Sequence, residues 1–128
     1  MERFDNGWRL PVDGLLVTQI RLDHGVTLLL ETFLIRIEGT FLVLEGGGSE
    51  QKVDPEGRPE QLIPALRLFE KEAVSGSAND DGGLELNFHD GTRVFVPASQ
   101  QFEPWELAGP EGLIIVSAPG GEISIWRS

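Results

Sequence analysis

His24 and His89 are the side chains best suited to general acid–base work, because imidazole titrates near neutral pH. Each adjoins an aspartate, in Asp23-His24 and His89-Asp90. Neighbours on a strand point to opposite faces, so His89 and Asp90 are not a ready dyad. His24 falls in a predicted turn. The chain has no Gly-x-Ser-x-Gly elbow to supply a nucleophilic serine. It has no cysteine, which removes thiolate nucleophiles, disulfides and zinc-thiolate sites. Both histidines therefore read as solvated surface residues, and no catalytic residue is assigned.

Other stretches weigh the same way. Asn79-Asp80-Asp81-Gly82-Gly83 clusters oxygen ligands, but calcium takes about six to eight oxygens and the later bidentate glutamate of a calcium loop is missing. Asn, Asp and Gly each favour turns, so a hairpin turn is the simpler assignment. Gly46-Gly47-Gly48 fits no phosphate-binding pattern, and Glu45 and Glu50 beside it would repel phosphate. Paired carboxylates carry no signal in a chain with 21 Asp and Glu. No metal site and no cofactor are expected.

The most distinctive run is Phe102-Glu103-Pro104-Trp105-Glu106-Leu107, followed by Ala108-Gly109-Pro110-Glu111-Gly112. Trp105 and Leu107 share one face of a strand, with Glu106 opposite. Trp105 is a natural core plug. It is also a candidate aromatic anchor ringed by carboxylates, as at binding hot spots. The candidate partner-binding residues are Trp105, Glu103, Glu106 and Glu111. Trp8 and Trp126 pose the same choice between core and surface.

Strands must position these residues. Leu16, Ile20 and Leu22, then Val26, Leu28 and Leu30, alternate about the turn Asp23-His24-Gly25. Phe33, Ile35 and Ile37 continue the pattern, and Glu38-Gly39-Thr40 turns into Phe41–Leu44. Leu84, Leu86 and Phe88 alternate with Glu85, Asn87 and His89, and Asp90-Gly91 turns into Val94 and Val96. Glu103–Leu107, Leu113–Val116 and Ile123–Ile125 follow. One helix is predicted over about 59–72, opened by Pro59. Its apolar face would be Leu62, Leu66, Phe69 and Ala73, and Pro64 disturbs its first turn. Residues 1–13 show no clear period. The expected class is mainly β (α+β), an antiparallel meander of about eight to ten strands with a single helix. The run from Val17 to Ile37 resembles the run from Val74 to Val96, each with a Gly-bearing turn. That suggests an internal repeat, 15–53 and 72–127, joined by the helix as two similar β halves packed together.

These parts fit one domain, 1–128. Scaling rules give about 6,700 Å² of folded surface against about 20,000 Å² unfolded, enough burial for a core. Lys and Arg number 10 against the 21 acids, for a formal charge of −11. Phosphate affinity rests on Lys and Arg, so nucleic acid is excluded as a partner. Apolar stretches such as Val26–Leu30 fall far short of the ~20 residues of a membrane span. The N-terminus lacks a signal peptide's basic and apolar regions. No membrane association is expected, and a cytoplasmic location is the default.

The Asp80–Val96 hairpin, the Trp-Glu-Leu-x-Gly-Pro-x-Gly run at 105–112 and the closing Pro119-Gly120-Gly121 with Ile125-Trp126 resemble an uncharacterised family of small acidic bacterial proteins. The likeness runs from about Gly14 to Trp126 and includes Asp54-Pro55-Glu56. Its motifs are turn and packing residues, so it implies a fold and no activity. The Trp8 region lies outside it.

The function expected is that of a non-enzymatic interaction protein, binding a basic protein partner as toxin-immunity proteins do. Its charge would steer the encounter. The alternative is a small-molecule-binding β domain with a concave apolar site near a tryptophan. An enzyme fits least. Unprotected sheet edges make a homodimer a further expectation.

Overall fold

A computed structural model describes residues 1–127. Thirteen strands form two antiparallel sheets. They are β1 (Glu2–Phe4), β2 (Gly7–Arg9), β3 (Val17–Leu22), β4 (Val26–Leu30), β5 (Phe33–Ile37), β6 (Phe41–Glu45) and β7 (Ser49–Val53). After a helical crossover come β8 (Ala73–Asn79), β9 (Leu84–Phe88), β10 (Arg93–Val96), β11 (Trp105–Ala108), β12 (Ile114–Ser117) and β13 (Ile123–Trp126). The first sheet has the order β1-β2-β8-β9-β10-β6-β7, and the second β13-β12-β11-β5-β4-β3.

The mainly β class holds, with more strands than the alternation predicted. The additions include β1 and β2, which are only three residues each. Strands that short cannot display a period of two. They pair as a hairpin, Phe4 opposite Gly7, across Asp5-Asn6.

The chain is not one continuous meander. Strands β3, β4 and β5 form a local meander in the second sheet, and the chain then crosses to the first sheet for β6 and β7. Strands β8, β9 and β10 form a meander in the first sheet, and the chain crosses to the second for β11, β12 and β13. The third strand of each meander therefore pairs with a strand from the other half: β5 with β11, and β10 with β6. The details run in parallel. The first ladder of each meander shifts register at the same point, between Val17 and Gln19 and between Ala73 and Ser75. The inward residues Phe41 and Trp105 hold matching places, next to the ends of β10 and β5.

Inward residues of both sheets form one core. It includes Leu28, Ile35, Ile37, Phe41, Val43, Leu84, Leu86, Val94, Trp105, Leu107 and Ile115, all buried. The accessible surface is 6768 Å², close to the scaling expectation for a single compact unit. The β8–β9 turn ties the sheets together. The Gly82 carbonyl accepts hydrogen bonds from the Trp105 indole N–H at 2.9 Å and the Ser117 hydroxyl at 2.8 Å. Gly82 has φ +98°, and a β-carbon there would stand 2.5 Å from the Gly121 Cα. Only glycine fits this crossing of turns.

The crossover is shorter than the predicted helix and buries a different face. A 3₁₀ turn at Pro59–Leu62 runs into α1 (Ile63–Leu66), and turns follow to residue 70. Leu62, Ala65 and Leu68 are buried. Ile63, Leu66 and Phe69 stand 42%, 44% and 51% exposed. Leu66 and Phe69 are thus turned outward, contrary to expectation. The cause is the winding: with about three residues per turn, positions i, i+3 and i+6 stack, and the α-helical stripe does not apply. Among the described residues, no helix is long and apolar enough to cross a membrane.

Candidate functional site

The outer face of the second sheet carries the candidate residues. Cross-strand register sets side chains in rows. One row runs Thr27, Arg36, Glu106, Val116, Ser124 across β4, β5, β11, β12 and β13. The neighbouring row runs Leu29, Leu34, Ala108, Ile114, Trp126. This second row is apolar over five strands and partly open, with Trp126 55% exposed.

Glu106 sits opposite Arg36 in register. The Arg36 guanidinium donates to Asp23 at 2.7 Å and to Glu38 at 2.9 Å, with Thr27 Oγ1 at 3.3 Å. Its pKa is raised, chiefly by the Asp23 hydrogen bond and then by Glu38. The Asp23 carboxyl is held below the usual carboxylate range by the same contact. One cation is thus shared by two carboxylates. A hollow of about 180 Å³ opens here, lined by Arg36, Glu38, Phe102, Glu103, Trp105 and Glu106. On its other side, Phe102 also borders a hollow of about 390 Å³ reaching from Gly39 to Pro104. The Phe102 ring is 44% exposed. Its backbone N–H, like that of Gln101, reaches the Ser99 hydroxyl, at 3.3 and 3.1 Å. The Pro104 carbonyl takes the Glu38 and Gly39 N–H groups at 2.9 and 3.2 Å. This corner is therefore fixed to β5.

Three of the four candidate residues meet here. Glu103 and Glu106 are exposed at the hollow. Trp105 reaches its wall but is 1% exposed, with its N–H spent on Gly82. It is a core residue at the site's base, and the aromatic surface at this corner belongs to Phe102. Pattern reasoning on Trp105 missed Phe102, although its position between Gln101 and Glu103, outside any alternating run, was a usable signal. Glu111 does not join the others. It lies past the far end of β11 in the turn Pro110–Gly112, with φ +61°.

The remaining sequence candidates are scattered. His24 lies in the β3–β4 turn of one sheet and His89 beyond β9 in the other. Gly46, Gly47 and Gly48 form the β6–β7 turn. Asp80 pairs with Arg3 at 2.5 Å, and Asp81 accepts the Gly83 N–H at 2.8 Å, so both shape the β8–β9 turn. Trp8 is half-buried with the Arg3 guanidinium 5.2 Å above its ring.

Residues 4–127 match DUF6188, a family of unknown function, and the chain belongs to that family. The match reaches back through Trp8 and β2, further than the resemblance in the turn motifs extended. No curated protein and no solved structure matches the chain.

Proposed function

We propose that this protein is a non-enzymatic interaction module that binds a basic protein partner on the outer face of its second sheet. The observation that carries this reading is the partly open apolar row Leu29, Leu34, Ala108, Ile114, Trp126, lying beside a cluster of carboxylates. Glu38, Glu103 and Glu106 form that cluster, with Phe102 beside them. An amphipathic basic element laid across the strands would bury the row and meet the carboxylates beside it. Such complementarity raises association rate and selects the partner's sign of charge. The formal charge of −11 acts the same way at longer range.

The test is capture by the immobilised protein, with identification of what it retains. Wild type is expected to hold basic proteins that high salt releases. Phe102→Ala combined with Glu106→Lys should abolish retention, while Glu60→Gln, on the crossover, should not. Equal retention by wild type and the double variant would overturn the reading. Sedimentation equilibrium separates a second copy of this chain from a foreign partner on the same face.

A further inference from the structure

We infer that the outer face of the first sheet holds a second site, a trough along β8 that takes a neutral polyhydroxylated ligand such as a mono- or disaccharide. It is independent of the partner surface on the other sheet. Past Val74 at its start, strand β8 turns small side chains outward, Ser75 and Ser77, with Asn79 at its end. Its neighbours are larger: Arg9 lies opposite Ser77 on one side and Glu85 on the other. In the next row Gly7 stands between Phe4 and Asn79 and contributes no side chain. A β-carbon on Gly7 would collide with the Ala78 carbonyl oxygen, so glycine lets β2 lie close against β8. Beside it lies a hollow of about 570 Å³ lined by Phe4, Asn6, Ser77, Asn79, Asp80, Asp81 and Glu85. A further hollow of about 190 Å³ continues it past Phe4 and Ser77 to Ser75 and Arg9. The first volume is within the usual range for small-ligand sites.

The chemistry of the lining selects the class. Asp80 is neutralised by a two-point contact with Arg3, at 2.5 and 2.7 Å. Glu85 faces Arg93 at 3.5 Å. Asn79 Oδ1 accepts from the Ser77 hydroxyl at 3.0 Å, which leaves its amide N–H groups as donors. Asp81 spends one oxygen on Gly83 N–H, which leaves the other as an acceptor. Donors and acceptors thus alternate along the trough with most charge cancelled, the pattern that a hydroxyl group, donor and acceptor at once, can satisfy. Phe4, 38% exposed at the edge, offers a flat apolar surface for the C–H face of a sugar ring. A phosphate would meet Asp81 and Glu85 without a free cation facing it.

The test is titration of ¹⁵N-labelled full-length protein with maltose, N,N′-diacetylchitobiose and myo-inositol, followed by amide shifts. Choline chloride serves as the cationic control. At least one polyol should give saturable shifts confined to Asn6, Ser77, Asn79, Glu85 and their neighbours. Asn79→Ala and Phe4→Ala should each weaken it by about tenfold, the worth of one good contact. Should either variant unfold, Glu85→Gln keeps the shape and removes only the anionic acceptor; it should weaken binding as well. No saturable shift with any of the three polyols, or shifts at these amides with choline alone, would overturn the proposal.

Discussion

At the scale of single residues, the chain spends its polar groups mostly on holding turns. Asp90 is the clearest case. It accepts the Thr92 N–H at 3.0 Å within the β9–β10 turn and an ion pair from Lys71 on the crossover. The Lys71 contact, then the Thr92 bonds, lower its pKa to about 2. A carboxyl lowered on folding adds stability above its unfolded pKa, and that stability is lost as pH falls through the folded value. The melting temperature should therefore drop between about pH 4 and pH 2. Asp90→Asn should lower it at pH 7 and leave it nearly unchanged at pH 2, which thermal unfolding at the two pH values checks. Buried hydrogen bonds give a sharper case. Trp105→Phe and Ser117→Ala each remove one of two donors to the Gly82 carbonyl and should each cost about 1 kcal/mol in hydrogen bonding. The double variant should cost more than the sum, because the carbonyl is then orphaned in the core. Urea unfolding of the four proteins measures this. Strand alternation was enough to put Trp105 on the core face. That its N–H meets a glycine from the opposite sheet was not readable, since the contact joins residues far apart in sequence.

At the scale of elements, legibility depended on a clean apolar alternation: β7 (Ser49–Val53) offers none, and in β3 the predicted inward face is reversed, with Val17 buried while Leu16 and Leu22 stand exposed. The run Leu84, Leu86, Phe88 against Glu85 and Asn87 has that alternation, buried and half-buried in turn. The β1–β2 hairpin was hidden by its shortness, and its turn Asp5-Asn6 holds no glycine to mark it. The crossover misled for another reason. The tight winding kept Leu62 buried as predicted but replaced Leu66 and Phe69 on the buried face by Ala65 and Leu68. Leu68→Ala should therefore cost about 2–5 kcal/mol, as for a core leucine. Leu66→Gln should stay within about 0.5 kcal/mol, as for a surface position. Chemical denaturation of both distinguishes the observed winding from an α-helix over 59–72, which would reverse the order. Gly82→Ala should destabilise by well over about 1 kcal/mol, because its backbone is left-handed and its neighbour is the Gly121 backbone.

At the scale of the whole molecule, the carboxylates lie on turns and outward faces along the chain, and the second sheet adds an apolar row beside one cluster of them. Association with a basic partner should slow steeply as ionic strength rises, with dissociation much less affected, since steering acts on encounter. Stopped-flow rates across a salt series read this directly. The candidate site was half legible: Glu103 and Glu106 follow from the strand reading, whereas Phe102 and the row ending at Trp126 depend on which strands become neighbours. Those neighbours include β5–β11 and β10–β6, where each half of the chain completes the other's sheet. The same exchange has a consequence for how the chain acquires its structure. Neither half can close its sheet while the other is unfinished, so the last strands laid down lock the first. Cutting the chain in the turn at Asp54–Gly57 should yield two fragments that are each largely unfolded and that regain one fold only when mixed.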